Sequence, residues 1–285
     1  MKPAGKPPMP SLPKGAANAA RPSFPVQLKP AAGMPTANKN MTAPARVTNA
    51  AGPASALKVA QKPVPSGIGL DSHAVRARMV QKLAAQGVTD PQVLAAMGQV
   101  ERHRFVDSAL VNQAYEDTSL PIGLGQTISK PNVVARMLEL LMRSNEGRQG
   151  KLGRVLEIGT GCGYQAAVLA QLAQEVYSIE RLRGLHDKAR DNLRPLRLPN
   201  VHLMFGDGMI GYAKGAPYAA IISAAGGENI PGTWIDQLAM GGRLVAPLQS
   251  ANGTQVLVVV DKTPQGVKQT LLEAVHFVPL KSGTS

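Results

Sequence analysis

Residues 154–170, RVLEIGTGCGYQAAVLA, decide how this chain folds. The first five residues alternate and are rich in apolar side chains, and Gly159, Gly161 and Gly163 then follow at every second position. From Tyr164 onward the apolar residues recur at helical spacing. A strand, a glycine loop and a helix in this order are typical of a nucleotide-type cofactor site. The stretch leaves open whether that cofactor is held by its phosphates or has none.

Strand-like and helix-like runs alternate on from this stretch. The predicted strands are residues 154–158, 175–180, Val201–Phe205, Tyr218–Ser223, 243–248 and 254–261. The predicted helices between them are residues 164–173, Arg183–Leu193 and 231–240. Such alternation implies right-handed crossovers and an α/β fold, with a mainly parallel, doubly wound sheet covered by helices on both faces. Short polar links between the last strands, up to residue 280, predict antiparallel pairing there.

The segment before the sheet reads as three helices. Val75, Met79 and Leu83 lie four residues apart and form one helical face. Thr89, with a glutamine three residues later, has the pattern of a capping box at the start of a second helix. Ser129 is the expected N-cap of a third helix, with Pro131 in its first turn.

The charge of the chain is concentrated at its N-terminus. The formal net charge is +13, and residues 1–70 carry nine Lys and Arg and no Asp or Glu. Thirteen of the 23 prolines also lie there, so this segment cannot bury enough apolar surface to fold. We therefore expect a disordered basic tail over residues 1–70 and one folded domain over residues 71–285. Within it, residues 71–145 form the helical part with an active-site loop, and residues 151–285 form the Rossmann-like core with the C-terminal strands.

The basic tail suggests nucleic-acid or membrane binding, but it lacks interleaved aromatic residues and dense basic clusters. We expect a solvated tail that contacts nucleic acid weakly at most. The sequence has neither the apolar core of a signal peptide nor a transmembrane run, so a cytoplasmic protein is the default expectation. The single cysteine, Cys162, excludes a disulfide framework and a cysteine metal cluster. We expect no metal.

Three acidic residues distinguish between the possible cofactors. Glu157 lies just before the glycine loop, Glu180 closes the second strand of the sheet, and Asp207 follows the third. A pyrophosphate would be poorly placed among three carboxylates. The loop after the first strand reads E-x-G-x-G-x-G and is not a strict G-x-G-x-x-G, and the chain has no G-K-[ST]. S-adenosylmethionine, with a sulfonium, an ammonium and a ribose diol, is well matched. The pattern therefore predicts a class I S-adenosylmethionine-dependent methyltransferase fold. The helix that begins after Gly163 would face the carboxylate of the cofactor's methionine part.

A longer set of segments points to the acceptor. LAAMGQVERHRFV, PIGLGQTIS, VLEIGTGCGYQAAVLA, GDGMIGY, APYAAIIS, GGRLVAPL and FVPL follow in this order over about residues 75–281. Together they closely resemble the protein-L-isoaspartate (D-aspartate) O-methyltransferase family. The resemblance implies methyl transfer from S-adenosylmethionine to the free carboxylate of L-isoaspartyl or D-aspartyl residues in damaged proteins and peptides, which releases S-adenosylhomocysteine.

The resemblance also implies site residues. Ser129 corresponds to the family's active-site serine, whose hydroxyl can donate to the acceptor carboxylate. Thr127, Ile128, Val278, Pro279 and Leu280 correspond to the substrate side. The implied cofactor contacts are Ile122, Gly123, Leu124, Gly125, Gly159, Glu180, Asp207 and Gly208. The glycine loop itself makes Glu157, Gly161 and Gly163 further candidates for cofactor binding.

The expected chemistry agrees with what the sequence lacks. A carboxylate has a pKa of roughly 4 and is already a nucleophile at neutral pH, so no general base is required. The five histidines form no recognisable catalytic constellation. We expect a monomer that acts on isoaspartyl proteins without a membrane or nucleic-acid partner.

Two alternatives remain open at this point. A nucleic-acid methyltransferase could use the basic tail, although an enzyme that methylates exocyclic amines would be expected to carry [ND]-P-P-[YF] where this chain has residues 223–226, SAAG. A non-enzymatic binding module could carry an inactive methyltransferase fold. Lys130, Asn132 and the segment ISAAGGENIP depart from the common family pattern on the substrate side. Cys162 stands where a serine is common, and its thiol leaves a redox role open.

Overall fold

The computed structural model describes residues 73–144, 146–250 and 252–285. The tail predicted to be disordered, residues 1–70, lies outside the described residues. In the described part of the chain, none of the helices is both long enough and apolar enough to span a membrane.

Helices and strands alternate along the described residues. The helices are α1 (His73–Ala85), α2 (Pro91–Gln99), α3 (Pro131–Met142), α4 (Tyr164–Leu172), α5 (Arg183–Leu193) and α6 (Gly232–Gln237). The strands are β1 (Leu120–Gly123), β2 (Gln126–Ile128), β3 (Leu152–Ile158), β4 (Ala173–Glu180), β5 (Val201–Phe205), β6 (Tyr218–Ser223), β7 (Ala225–Gly226), β8 (Leu238–Gln249), β9 (Gln255–Thr263), β10 (Gly266–Val275) and β11 (Val278–Pro279).

Seven of these strands form one sheet in the order β10-β9-β8-β6-β3-β4-β5. The pairs from β8 to β5 are parallel, whereas β8 with β9 and β9 with β10 are antiparallel. The predicted parallel sheet with an antiparallel end is therefore confirmed. After β3 the chain builds outward through β4 and β5 and then returns to the other side as β6. The strand order reverses between β3 and β6, and ligands bind at the carboxyl ends of strands at such a point.

Apolar side chains cover both faces of the sheet. Adjacent residues of β3 belong to different hydrophobic clusters, Val155 with Leu138 of α3 and Leu156 with Trp234 of α6. Successive strand residues point to opposite faces, so the two clusters lie on opposite sides of the sheet. This double burial explains why the strands read as nearly continuous apolar runs.

Two helices end earlier in the structure than the sequence predicts. The helix predicted over residues 231–240 ends at Gln237, because Leu238 is extended and pairs with Tyr218 at the start of β8. The helix predicted over residues 164–173 ends at Leu172, because Ala173 pairs with Leu152 in the sheet. Pairing with strands distant in sequence decided both boundaries, and the local apolar pattern carries no signal for it.

Both predicted helix caps are wrong. Asp90, not Thr89, caps α2, and its carboxylate accepts from the backbone N–H groups of Gln92 and Val93. Lys130 occupies the N-cap position of α3 and makes no side-chain capping bond, so Ser129 lies one residue further out. The exposed carboxylate of Asp117 instead accepts from the Asn132 N–H at 2.9 Å.

Thr89 is used elsewhere, in a buried network around Glu139 of α3. The Thr89 N–H and hydroxyl donate to Glu139 Oε1 at 2.7 and 2.8 Å, and the Asp90 N–H donates at 3.1 Å. Arg136 and Arg143 pair with the other carboxylate oxygen at 3.2 and 3.1 Å. Burial acts to raise the pKa of Glu139, but these hydrogen bonds and the charge of Arg143 outweigh it and hold the pKa below its ordinary value.

We expect Glu139→Gln to lower the free energy of unfolding at pH 7 by about 3 kcal/mol, because it leaves two arginines beside a neutral buried side chain. Since the folded-state pKa of Glu139 is depressed, its contribution is present above the unfolded pKa and is lost as pH falls through the folded value. Urea denaturation at pH 7 and near pH 3 checks both points. Glu273→Gln is the matched control: Glu273 pairs with Arg136 from an exposed position and should change stability by less than about 1 kcal/mol. A difference between wild type and Glu139→Gln that is equal at both pH values contradicts this account.

Candidate active site

The glycine loop between β3 and α4 lies at the carboxyl edge of the sheet. The Gly159 and Thr160 N–H groups donate to the Ile179 carbonyl at 2.9 and 3.2 Å, so the loop turns back over the end of β4. Gly161 has φ +57°, and a Cβ there would lie 3.1 Å from Ile122 Cδ1. A side chain at Gly161 would therefore be strained and would crowd the neighbouring hairpin.

Glu180 presents a fixed carboxylate at the end of β4. Its Oε2 accepts from the Gly161 N–H and its Oε1 from the Leu182 N–H, each at 2.9 Å. Each oxygen keeps a second lone pair, so the carboxylate can still accept two hydroxyl groups. The residue is only 4% exposed and lines a cavity at this edge.

Asp207 is more fully engaged than the sequence suggests. Its Oδ1 accepts from the Met209 N–H at 2.8 Å, and its Oδ2 accepts from the Gly283 N–H at 2.6 Å. The C-terminal residues also bond to the segment after β4: the Ser285 N–H donates to the Arg181 carbonyl at 2.9 Å, and the Arg183 N–H donates to the Ser285 carbonyl at 2.8 Å. The final residues therefore form a strap between the ends of β4 and β5.

Glu157 lies beneath the glycine loop. It is fully buried, the Ser178 hydroxyl donates to its Oε2, and the Ser178 and Thr160 hydroxyls lie 2.6 Å apart. Burial raises the pKa of Glu157 to about 8, which favours the neutral carboxyl. The sequence predicts Glu157 as an anion beside the cofactor, whereas the structure places it buried beneath the loop and outside the cavity wall. The chain of hydroxyls from Glu157 to Thr160 instead supports the loop from below.

A cavity of about 260 Å³ opens beside Glu180. Six segments line it: the β1–β2 hairpin, the end of β3 with the glycine loop, the end of β4 with the start of α5, the turn after β5, the connection between β6 and β7, and the chain around β11. The lining residues are Ile122, Leu124, Gln126, Thr127, Ile158, Gly159, Gly161, Ile179, Glu180, Arg181, Leu182, Leu185, Gly208, Ala224, Ala225, Val278, Pro279, Leu280 and Lys281.

The structure brings many of the residues named from the sequence to this cavity. Six of the implied cofactor contacts line it, namely Ile122, Leu124, Gly159, Gly161, Glu180 and Gly208. Four residues assigned to the substrate side also line it, namely Thr127, Val278, Pro279 and Leu280. Gly123, Gly125, Glu157, Gly163 and Asp207 are not part of its wall. Ile179, Leu182 and Leu185 also line the cavity, and the sequence did not predict them, because apolar side chains at these positions carry no functional signal.

Ser129 lies in a second, smaller cavity of about 40 Å³. The larger and the smaller cavity share Ile122, Thr127, Gly159, Gly161 and Ala224 in their walls. The smaller one is completed by Ile128, Ser129, Val134, Thr160, Cys162, Tyr164 and Gln165. The serine and the carboxylate of Glu180 therefore border adjoining spaces with the glycine loop between them.

The β1–β2 hairpin forms the wall common to both cavities. Leu120 pairs with Ile128, and Leu124 at the tip has φ +51°. The Lys188 ammonium donates to the Ile122 carbonyl at 2.8 Å, which fixes the hairpin to α5. Leu124 is 62% exposed, so an apolar side chain stands at the mouth of the larger cavity.

Neither Cys162 nor any histidine supplies reactive chemistry here. Cys162 is buried, and burial raises the pKa of its thiol to about 11. The thiolate is the reactive form, so a redox role for Cys162 has no support. All five histidines belong to the described residues, and none lines either cavity. In the described part of the chain, no three His, Cys, Asp or Glu side chains are grouped so that they could hold a metal.

Known proteins share this architecture and sequence. A family model described as protein-L-isoaspartate(D-aspartate) O-methyltransferase matches residues 74–285. A protein-L-isoaspartate O-methyltransferase from Methylibium petroleiphilum is 65% identical over 222 residues, which cover 77% of this chain and 82% of the relative. A solved protein-L-isoaspartate O-methyltransferase structure aligns with a TM-score of 0.65 and 28% identity, over 73% of this chain and 66% of its own.

A further solved structure, from Plasmodium falciparum, is assigned to the same activity and is in complex with S-adenosyl-L-homocysteine. It aligns with a TM-score of 0.63 at 24% identity, over 72% of this chain and 98% of its own. With the seven-stranded sheet, these neighbours confirm the predicted class I methyltransferase fold. The family model covers well over half of the chain and the Methylibium relative is highly identical, so the chain belongs to the protein-L-isoaspartate(D-aspartate) O-methyltransferase family.

Proposed function

We propose that this protein transfers a methyl group from S-adenosylmethionine to the free carboxylate that an L-isoaspartyl or D-aspartyl residue exposes in a damaged protein. The following backbone nitrogen then attacks the ester carbonyl and expels methanol to give a succinimide, and addition of water to the succinimide returns part of the product to normal aspartate. The observation that carries the proposal is the pair of adjoining cavities, one with the fixed carboxylate of Glu180 and the other with Ser129. The family match leaves the nucleic-acid alternative without support.

The larger cavity fits S-adenosylmethionine by the chemistry of its donors. The two oxygens of Glu180, each already fixed by one backbone N–H, would accept the two ribose hydroxyls. Ile158, Ile179 and Leu182 provide apolar wall for a flat base, and Gly208 leaves room beside Ile158, where a Cβ would come within 2.5 Å of Ile158 Cγ2. When bound, the cofactor supplies an electrophilic methyl group whose bond to sulfur breaks as the bond to the carboxylate oxygen forms.

Ser129 would position the acceptor. It is partly buried in the wall of the smaller cavity, and its hydroxyl can donate to one carboxylate oxygen while the other oxygen attacks. Because the acceptor is already ionised at neutral pH, no proton changes hands, which agrees with the location of the histidines outside both cavities. The contribution of the protein is orientation and the exclusion of water.

The chain around β11 would hold the peptide that carries the damaged residue. β11 pairs with β7, Val278 with Ala225 and Pro279 with Gly226. Pro279 and Leu280 line both the cofactor cavity and a neighbouring groove of about 340 Å³ that also includes Glu228 and Asn229. This placement allows an extended peptide to lie beside β11 with its reactive residue turned toward Ser129.

A labelled-methyl assay tests the proposal. Purified protein receives methyl-labelled S-adenosylmethionine with an isoaspartyl peptide, its normal aspartyl twin, or RNA. The expected result is base-labile label on the isoaspartyl peptide alone, because methyl esters of carboxylates hydrolyse in base. Transfer to RNA, or no transfer to the isoaspartyl peptide, contradicts the proposal.

We also propose that residues 1–70 take no part in catalysis, because the family match begins at residue 74 and the cavities are lined by residues after 120. Deletion of residues 1–70 is expected to leave kcat/KM on a short isoaspartyl peptide within about twofold of the full chain, a change of less than about 0.5 kcal/mol in transition-state stabilisation. Steady-state kinetics on both proteins checks this expectation. A tenfold or greater loss of kcat/KM would show that residues 1–70 contribute to catalysis.

A further inference from the structure

Arg102 is a buried cation directly behind Ser129. Its side chain is fully buried, its Nη2 donates to the Ser129 carbonyl at 2.8 Å, and its Nε donates to the Ala114 carbonyl at 2.8 Å. The guanidinium carbon lies 4.8 Å from the centre of the Tyr164 ring, over its face. The residue therefore touches both Ser129 and Tyr164, which are part of the smaller cavity wall.

The charge of Arg102 is not balanced by a carboxylate. None of the ion pairs within residues 73–144, 146–250 and 252–285 includes it, and its Nη1 has no hydrogen-bond partner. Asp117 acts on it only from a distance, since that carboxylate is exposed and already accepts from the Asn132 N–H. Burial lowers the pKa of the guanidinium, yet arginine stays protonated at neutral pH in proteins. The neighbours that stabilise this charge, two backbone carbonyls and the Tyr164 side chain, are neutral, so an anion in the adjoining cavity would meet a positive potential that no carboxylate offsets.

The acceptor in the proposed function is such an anion. Its carboxylate would enter the smaller cavity at Ser129, and it must lose water to do so, which is unfavourable for an ion. The guanidinium bonds to the carbonyl of the same residue whose hydroxyl would hold the carboxylate. The field of a cation is weakly screened in a water-poor interior, so it acts across the thickness of one residue. The N-terminus of α3, which begins at Pro131, adds potential of the same sign.

We propose that Arg102 is a positioning residue for the methyl acceptor: it holds Ser129 in place through the carbonyl and supplies the positive potential that selects a carboxylate over a neutral group in the smaller cavity. This inference rests on the proposed placement of the acceptor at Ser129. Arg102 would thus act on the charge of the acceptor without touching the cofactor.

The experiment compares binding of an isoaspartyl peptide with binding of its twin in which the free carboxylate is a carboxamide. The two peptides have almost the same shape, but only the first is anionic at that position. Their dissociation constants are measured in the presence of S-adenosylhomocysteine for wild type, Arg102→Met and Arg102→Lys. For Arg102→Met we expect the carboxylate peptide to bind at least tenfold more weakly and the carboxamide twin to change less than about twofold, an effect typical of one partly screened charge. Arg102→Lys should retain most of the preference for the carboxylate.

The outcomes separate charge from packing. Equal weakening of both peptides, or an unchanged carboxylate preference in Arg102→Met, overturns the proposal and leaves Arg102 a packing residue. If Arg102→Met does not fold, Arg102→Lys still tests the proposal. Loss of the carboxylate preference in Arg102→Lys, which retains the positive charge, would contradict it. Arg243→Met is the matched control: Arg243 is half-buried, bonds twice to Asp261, and should affect thermal stability without changing the peptide preference.

The same measurements keep this inference distinct from the proposed function. If wild type does not methylate the isoaspartyl peptide, the proposed function fails whatever Arg102 does. If wild type methylates the peptide and Arg102→Met keeps the carboxylate preference, only the role of Arg102 fails.

Discussion

Glu180→Ala is expected to weaken binding of S-adenosylmethionine by about 100-fold. The carboxylate is fixed by the Gly161 and Leu182 N–H groups and would accept two hydroxyls, and hydrogen bonds to a charged group contribute about 1.5–3 kcal/mol each. Removal of the side chain also leaves the Gly161 N–H without its partner and so loosens the glycine loop. Isothermal titration with S-adenosylhomocysteine and the KM for S-adenosylmethionine measure the effect.

Two variants make this prediction specific. Glu175→Ala removes an acid from the same strand, where Glu175 is half-exposed and pairs with Arg154, and it should leave cofactor affinity unchanged. Glu180→Gln keeps the shape but replaces one acceptor oxygen by a donor, so it should weaken binding nearly as much as alanine. If Glu180→Ala binds the cofactor with wild-type affinity, Glu180 does not bind the ribose.

The central strands were largely predictable because they are buried on both faces. Val201–Phe205 and Tyr218–Ser223 have the same bounds in the prediction and in the structure, since polar residues, Gly or Pro flank each apolar run. At Leu238 and Ala173 the apolar pattern continues across a change from helix to strand, and pairing with distant strands decides the boundary. At Thr89 the local pattern was compatible with a cap, but Glu139, fifty residues away in sequence, takes its hydroxyl.

Site residues were predictable only where a functional residue type stands at a recognisable place in the fold, such as the end of a strand. Glu180 stands at the end of a strand, and its location in the cavity wall follows from the parallel topology. Glu157 has the same chemical type and faces the same side of the sheet, but it pairs with Ser178, two residues before Glu180, and so lies deeper, beneath the loop. Burial there raises its pKa to about 8. The contact of Gly283 with Asp207 and the approach of Arg102 to Ser129 join segments far apart in sequence. No local pattern encodes them.

The expected effect of Ser129→Ala is larger on turnover than on cofactor affinity. The serine lies in the smaller cavity, whereas Glu180 and the apolar wall for the base belong to the larger one. Loss of one hydroxyl donor to an anionic acceptor should lower kcat at saturating cofactor by about 10- to 100-fold, and the dissociation constant for S-adenosylhomocysteine should change less than about twofold.

Ser129 does not cap α3, so its substitution should not destabilise this helix. A loss of turnover in Ser129→Ala can therefore be assigned to the missing hydroxyl. Ser129→Thr retains the hydroxyl and should recover part of the activity. Ser119→Ala, which removes an exposed hydroxyl just before the hairpin, is the matched control and should behave like wild type. If Ser129→Ala instead weakens cofactor binding while turnover per bound cofactor stays unchanged, Ser129 does not position the acceptor. The hydroxyl would then serve the cofactor side of the wall shared by the two cavities.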